Sequence, residues 1–268
     1  ERTALMSQAS ANLNVMIKAA RRASRGLLRD FGEVENLQVS SKSAGDFVSK
    51  ADTKAEKIIK EELTEARPNY GWLGEESEEE TGADPTRRWI VDPLDGTSNF
   101  LHGIPHWAIS IGLEHKTEIV SAVIYDPIKD EMFTAEKGQG AWLNDKRLRV
   151  SDRKSMIEML FATGMPFGGK EGLEDTLDEI KNLMPKCAGI RRNGAAALDL
   201  AYVAAGRLDG YWERGLSAWD IAAGILIVKE SGGLIEGFKD TDLPIETGEL
   251  ICSNNFIFTN FSKIIRDA

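Results

Sequence analysis

The sequence predicts a layered α/β protein, α+β in its first half and α/β from about residue 150 onward. Three observations support this. Two long stretches near the N-terminus carry apolar residues at helical spacing. From Trp107 the pattern changes to short strands separated by turn residues. Beyond residue 150, apolar helical stretches alternate with short strands. A chain of 268 residues can bury a substantial core, and a single domain of two coupled lobes, approximately 1–150 and 151–268, is expected.

The first helix is predicted over residues 4–31, where Leu5, Ala9, Leu13, Met16, Ile17, Ala20, Leu27 and Leu28 form one face and Lys18, Arg21, Arg22 and Arg25 a small basic one. Ala55, Ile58, Ile59 and Leu63 repeat the pattern over 52–66, and Pro68 closes it. Residues 70–73 read as a strand entering an acidic loop. Trp89-Ile90-Val91 reads as a short buried strand. Segments 107–113, 118–125, 131–135 and a stretch near 147–150 form an antiparallel meander, with turns at Asp126-Pro127 and Gly138-Gln139-Gly140. Helices follow at 173–183, 195–205 and 217–231, strands near Ile190 and at 208–213, and a last strand and helix end the chain.

Composition excludes several functions. With 42% hydrophobic and 28% charged residues, the chain is an ordinary soluble globular protein. No apolar run approaches the roughly 18–20 residues that span a bilayer. The N-terminus lacks a basic-then-apolar leader pattern. Cys187 and Cys252 are the two cysteines and have no metal-binding or disulfide-framework spacing, which suits a reducing cytoplasm. A net charge of −10 argues against generic nucleic-acid binding.

The chemistry concentrates in acidic motifs. Asp92-Pro93-Leu94-Asp95-Gly96-Thr97 follows the buried run at 89–91, so two carboxylates end a strand and a Gly-Thr turn opens the next element. Carboxylate oxygens suit Mg²⁺, and backbone N–H groups at a helix start attract phosphate. Taken alone, Pro, Asp and Gly also describe a surface turn. Gly74-Glu75-Glu76-Ser77 places Glu75 at a strand end, in what also reads as a solvated acidic loop. Asp52 lies near the predicted start of the 52–66 helix, where the dipole alone favours an acid. Asp220, in Trp219-Asp220, sits in the first turn of a helix otherwise apolar and rich in small residues. Burial there demands a partner or a metal, and Ser217 is already available as the cap.

Together these motifs resemble the inositol monophosphatase family of Mg²⁺-dependent phosphatases, and within it the bacterial extragenic-suppressor type. One family signature is matched by residues 89–100, another by 219–224 with Gly232-Gly233 downstream, and two further acidic motifs by 74–77 and by Ala51-Asp52. The resemblance spans nearly the whole chain. It implies a five-layered α-β-α-β-α sandwich, a homodimer, and hydrolysis of small phosphate monoesters with two to three Mg²⁺ ions per active site. Glu75, Asp92 and Asp95, with the Leu94 carbonyl, resemble the ligands of the tightest metal. Asp92, Asp95 and Asp220 resemble those of a second, and Asp52 and Glu75 those of a third. Thr97, beside Glu75 and Asp52, resembles the group that orients the attacking water. Gly96, Thr97, Glu213, Gly194, Ala195, Ala196 and Asp220 match the substrate side. Two departures bear on substrate identity: no His stands in 214–217 before the Trp-Asp pair, and residues 164–168 lack the polar loop of strict inositol phosphate users. Fructose bisphosphate, adenosine bisphosphates and NADP are the substrates of related enzymes, with Lys50 and Arg191-Arg192 the cations available for a second phosphate. The same resemblance implies, as the alternative role, contact with RNA polymerase or antitermination factors, for which the basic face from Lys18 to Arg25 is the available surface.

Overall fold

The computed structural model describes residues 9–37, 41–166, 171–239 and 241–268, without the side chains of 35–49. Helices α1 (Ala11–Leu37) and α2 (Ser41–Ala66) open it. The first sheet contains β1 (Tyr70–Gly74), β2 (Asp84–Asp95), β3 (Ala108–His115), β4 (Glu118–Asp126), β5 (Glu131–Glu136), β6 (Gly140–Leu143) and β7 (Lys146–Arg147), in sequence order. Only the β1–β2 pair is parallel among them, and the short helix α3 (Thr97–Leu101) lies between β2 and β3. The second sheet contains β8 (Leu160–Thr163), β9 (Gly189–Arg191), β10 (Gly210–Glu213), β11 (Leu234–Glu236) and β12 (Leu250–Ser253), in the order β11-β12-β10-β8-β9. The later helices are α4 (Leu173–Leu183), α5 (Ala196–Ala204), α6 (Ala218–Glu230), α7 (Pro244–Thr247) and α8 (Phe258–Arg266).

The period-two alternation of side chains sorts these elements into layers. Trp89, Val91, Ile109, Ile111 and Val123 pack with Met16, Leu27, Ile59 and Leu63 of α1 and α2. Their strand neighbours Ile90, Ala108, Ala122 and Ile124 face the other way, onto α5 and α6. The far side of α5 and α6 meets Ala162, Tyr211, Leu250 and Cys252 of the second sheet. Phe161, Trp212 and Ile251, on that sheet's opposite face, pack with Leu183 of α4 and Phe261 and Ile265 of α8. The order is therefore α-β-α-β-α. Its middle layer has apolar surface on both sides, so α6 is buried continuously from Ile221 to Val228, whereas α1 is amphipathic.

Several expectations need correction. The first described helix begins at Ala11 and runs on to Leu37, and residues 4–8 of the predicted helix lie outside the described residues. Because α2 begins at Ser41, Asp52 lies well inside it, and the helix-start explanation for that acid is lost. Gly140, read as part of a turn, starts β6, and β8 was not anticipated. Both are four-residue strands, too short to show a clear alternation. Two strands, not one, precede the last helix. Among the described residues no helix is long and apolar enough to cross a membrane.

Candidate active site

A register break makes Asp92 and Asp95 neighbours. Residues three apart on a regular strand point to opposite faces. Here Asp92 pairs with Ser110 and Asp95 with Ala108, so β2 advances by three residues while β3 advances by two. The extra residue is a bulge at Pro93-Leu94 that returns both carboxylates to one side. The Asp92 carboxylate stabilises the bend by accepting the Leu94 N–H at 2.8 Å. On Asp95, Oδ2 accepts the Ala197 N–H at the start of α5, also at 2.8 Å.

Other elements bring the remaining acids to this point. β1 runs parallel to β2, and the Glu75 N–H donates to the Val91 carbonyl at 3.3 Å, which sets Glu75 beside Asp92. Ser110 Oγ donates to the Trp219 carbonyl at 3.3 Å and ties β3 to the start of α6. Asp220 completes the cluster, with ligand oxygens of Asp92, Asp95 and Asp220 all within 4.8 Å of one another. Ser217 does not relieve Asp220 of capping, since the Asp220 Oδ2 itself accepts the Ser217 N–H at 2.7 Å. Asp52 reaches the same space from α2, is 3% exposed, and leaves its Oδ1 without a hydrogen-bond partner.

The turn and the substrate side adjoin the cluster. Gly96 has φ +93°, and a side chain there would lie 3.0 Å from the His106 carbonyl and 3.3 Å from Ala195 Cβ, so only glycine fits. Thr97 Oγ1 donates to the Leu94 carbonyl at 3.0 Å. The loop at Gly194, Ala195 and Ala196 is fastened to α3 by Asn99, whose Nδ2 donates to the carbonyls of Asn193 at 2.9 Å and His106 at 2.8 Å. Glu213, at the end of β10, accepts the Tyr211 hydroxyl. It occupies the space where a side chain on Gly164 would be, so that glycine is needed for room. Arg192 comes close to Gly194, while Lys50 is exposed.

Electrostatics test whether this donor set fits a cation. Burial, and then Glu75, Asp95, Asp220 and Asp52, holds the Asp92 carboxyl well above the ordinary range. Asp95 is raised by burial and Asp220, against the Ala197 N–H. Desolvation and the carboxylates of Glu75, Glu76 and Glu56 push Asp52 up to about 8. Glu75 rises to about 7, chiefly by desolvation of its carboxyl and against a hydrogen bond with Asp92. Acids that repel one another and leave a buried oxygen unpartnered gain most from a positive ion. All the donors are oxygens, the set that suits a hard divalent cation.

Sequence reasoning missed four supporting residues. Glu56, one turn after Asp52 on the same face of α2, accepts the Glu76 N–H at 2.8 Å and fixes the loop that carries Glu75. Its i, i+4 spacing from Asp52 was the available signal. Asn99 lay inside the 89–100 motif without a role. Asn193 and Asp199 bond to each other at 2.6 Å, and in sequence Asp199 looks like an ordinary first-turn acid.

Comparisons with known proteins agree with the fold. The model of the inositol monophosphatase family matches residues 9–267. The chain is a phosphoric monoester hydrolase of a metal-dependent class. It belongs to the inositol monophosphatase family. An inositol-1-monophosphatase of Rhizobium meliloti is 54% identical over 257 residues, 96% of this chain and 97% of the relative. The Nus factor SuhB of Pseudomonas aeruginosa is 44% identical over 250 residues, 92% of each chain. The crystal structure of the extragenic suppressor protein suhB from Bartonella henselae superposes with a TM-score of 0.89 at 53% identity, covering 96% of this chain and 98% of that one.

Proposed function

We propose that the protein hydrolyses inositol-1-phosphate to myo-inositol and phosphate, with two to three Mg²⁺ ions, as a cytoplasmic homodimer. The observation that supports this best is the convergence of Asp92, Asp95 and Asp220 within 4.8 Å, beside the unpartnered Asp52 oxygen. Glu75, Asp92, Asp95 and the Leu94 carbonyl would hold one cation, Asp92, Asp95 and Asp220 a second, and Asp52 with Glu75 a third. Bound cations neutralise the phosphate charge, lower the pKa of water and steady the leaving oxygen.

The chain's own groups position the reaction. Thr97 gives its proton to the Leu94 carbonyl, so its lone pairs are left to accept from the attacking water. Asp52 and Glu75 are the carboxylates nearby that take the water's proton. The Gly96 and Thr97 N–H groups hold phosphate oxygens. Glu213 accepts the hydroxyls of the polyol, and Gly194, Ala195 and Ala196 form its wall. The water oxygen bonds to phosphorus, the ester P–O bond breaks, the leaving alkoxide takes a proton from a water molecule, and the carboxylate returns its proton to solvent. Most of the rate comes from positioning and charge stabilisation. A substrate panel run with Mg²⁺ and again with chelator tests the reading. Inositol-1-phosphate should turn over fastest and chelator should stop it, whereas chelator-insensitive turnover would refute it.

A second reading, regulation through RNA polymerase or antitermination factors, is supported by the 44% identity to a Nus factor. The basic face offers little to it, because Lys18 and Arg22 both pair with Glu62 of α2. Capture of transcription factors by wild-type and Asp95→Asn protein alike would favour this role, and capture by neither would remove it.

A further inference from the structure

Residues 193–197 link β9 to α5 and touch the catalytic cluster twice. Ala195 packs beside Gly96, and the Ala197 N–H donates to Asp95 at 2.8 Å. Asn99 grips the loop from the side of the phosphate turn, through the Asn193 carbonyl. From the opposite side the loop is held by Asn193 Nδ2, which donates to Asp199 Oδ1 at 2.6 Å.

Asp199 is 1% exposed, in a helix made otherwise of Ala, Leu, Tyr and Val. It accepts the Asn193 amide, and the charge of Arg192 acts on it from nearby. Ala195, the cap position of α5, has no capping side chain, and the first-turn N–H of Ala197 is taken by Asp95 rather than by Asp199. Burying a carboxyl costs free energy that alanine at this position would avoid. What that cost secures is the Asn193 amide. The Asn193 backbone is then held from two directions, by Asn99 on its carbonyl and by Asp199 on its side chain. Glu213 is close enough to Asp199 to interact with it electrostatically.

We infer that Asp199 is a positioning residue for substrate choice: through Asn193 it sets loop 193–197 against the phosphate turn, and so fixes where the leaving polyol lies relative to Glu213. The inference rests on the reading of Gly194, Ala195 and Ala196 as the substrate wall. It predicts a pattern that general loss of stability does not produce. The Gly96 and Thr97 N–H groups hold the phosphate end, so the Asn193–Asp199 bond should matter most for substrates that extend along the wall.

The test measures KM and kcat for inositol-1-phosphate and for a small aryl phosphate, together with amide hydrogen exchange over 193–197. Asp199→Leu and Asn193→Ala each delete the bond, and Asn193→Ala does so from a half-buried position where misfolding is less of a risk. Both should raise KM for inositol-1-phosphate roughly five- to tenfold, the value of one hydrogen bond, and raise the aryl phosphate KM much less. Exchange at 193–197 should quicken. Asp199→Asn keeps an acceptor oxygen for Asn193 and should retain near-normal KM. Folded Asp199→Leu and Asn193→Ala proteins with wild-type KM, or with equal losses on both substrates, would overturn the inference, as would an Asp199→Asn protein no better than Asp199→Leu. If wild-type protein cleaves neither substrate, the phosphatase reading fails. Exchange then decides alone, and unchanged protection at 193–197 in both variants overturns the loop-setting role.

Discussion

Replacing Asp52 by Asn should flatten the pH dependence of stability in the metal-free protein. Burial and the acids around it push the Asp52 carboxyl up to about 8, from 3.8 in an unperturbed chain. Between those values the folded state holds a proton that the unfolded state has released. The associated stability is therefore fully present below about pH 4 and is lost as pH rises through 8. One pKa unit corresponds to about 1.4 kcal/mol, so raising pH from 5 to 8 costs the wild-type protein roughly 3–4 kcal/mol through this one group. For a chain of this size that is a fall in Tm of about 10 °C. The assay is thermal unfolding in chelator at pH 5, 6, 7 and 8. Glu75, Asp92, Asp95 and Asp199 are raised in the same direction, and Asp52 itself helps to raise Asp92, so the difference between the two curves reports Asp52 together with its effect on these neighbours. Mg²⁺ should stabilise the wild-type protein more at pH 8 than at pH 5, because the bound protons must leave first. Parallel pH curves for wild type and Asp52→Asn would refute the reasoning.

Asp95→Asn should keep the fold, since the amide oxygen can still accept the Ala197 N–H, while turnover falls at least about a hundredfold and the Mg²⁺-induced rise in Tm shrinks. Steady-state rates and melting curves with and without Mg²⁺ check both effects. Glu213→Gln should lower kcat/KM for inositol-1-phosphate about tenfold, the worth of a hydrogen bond to a charged group, and leave a small aryl phosphate nearly unaffected. An equal loss on both would assign Glu213 to general architecture. Gly96→Ala combines a left-handed backbone with a contact of 3.0 Å to the His106 carbonyl. Chemical denaturation should show it about 2–4 kcal/mol less stable.

The acids that could be read from the sequence were those at the ends of elements. Glu75, Asp92, Asp95 and Asp220 each stand where an apolar run stops or a helix begins, and such positions point into shared space. Asp52 was found through the family resemblance alone, and the competing helix-start explanation fell away because α2 begins at Ser41. The bulge that turns Asp92 and Asp95 to one side was not legible, since it depends on how β2 pairs with β3. Nor was the partnership of Asn193 and Asp199. Both types are common on surfaces, and only the bond between them, with Asp199 buried and Asn99 on the Asn193 carbonyl, distinguishes them. The alternating layers were half visible: α6 announced a buried middle layer by being apolar all round, while the four-residue strands β6 and β8 gave too few positions to show a period.

The bonds that close the site join distant parts of the chain. Ala197 reaches Asp95 across 102 residues, and Asn99 reaches Asn193 across 94. Such closures cost chain entropy before any contact compensates it, so late assembly of the site in folding is expected. A cation that recognises only the finished cluster has nothing to bind in the folding transition state. If the chain binds Mg²⁺ as proposed, the ion should retard unfolding and leave the refolding rate almost untouched. On that reading the metal would be a latch on a completed structure rather than a seed for it, and losing it would shorten the lifetime of the native state without hindering its formation.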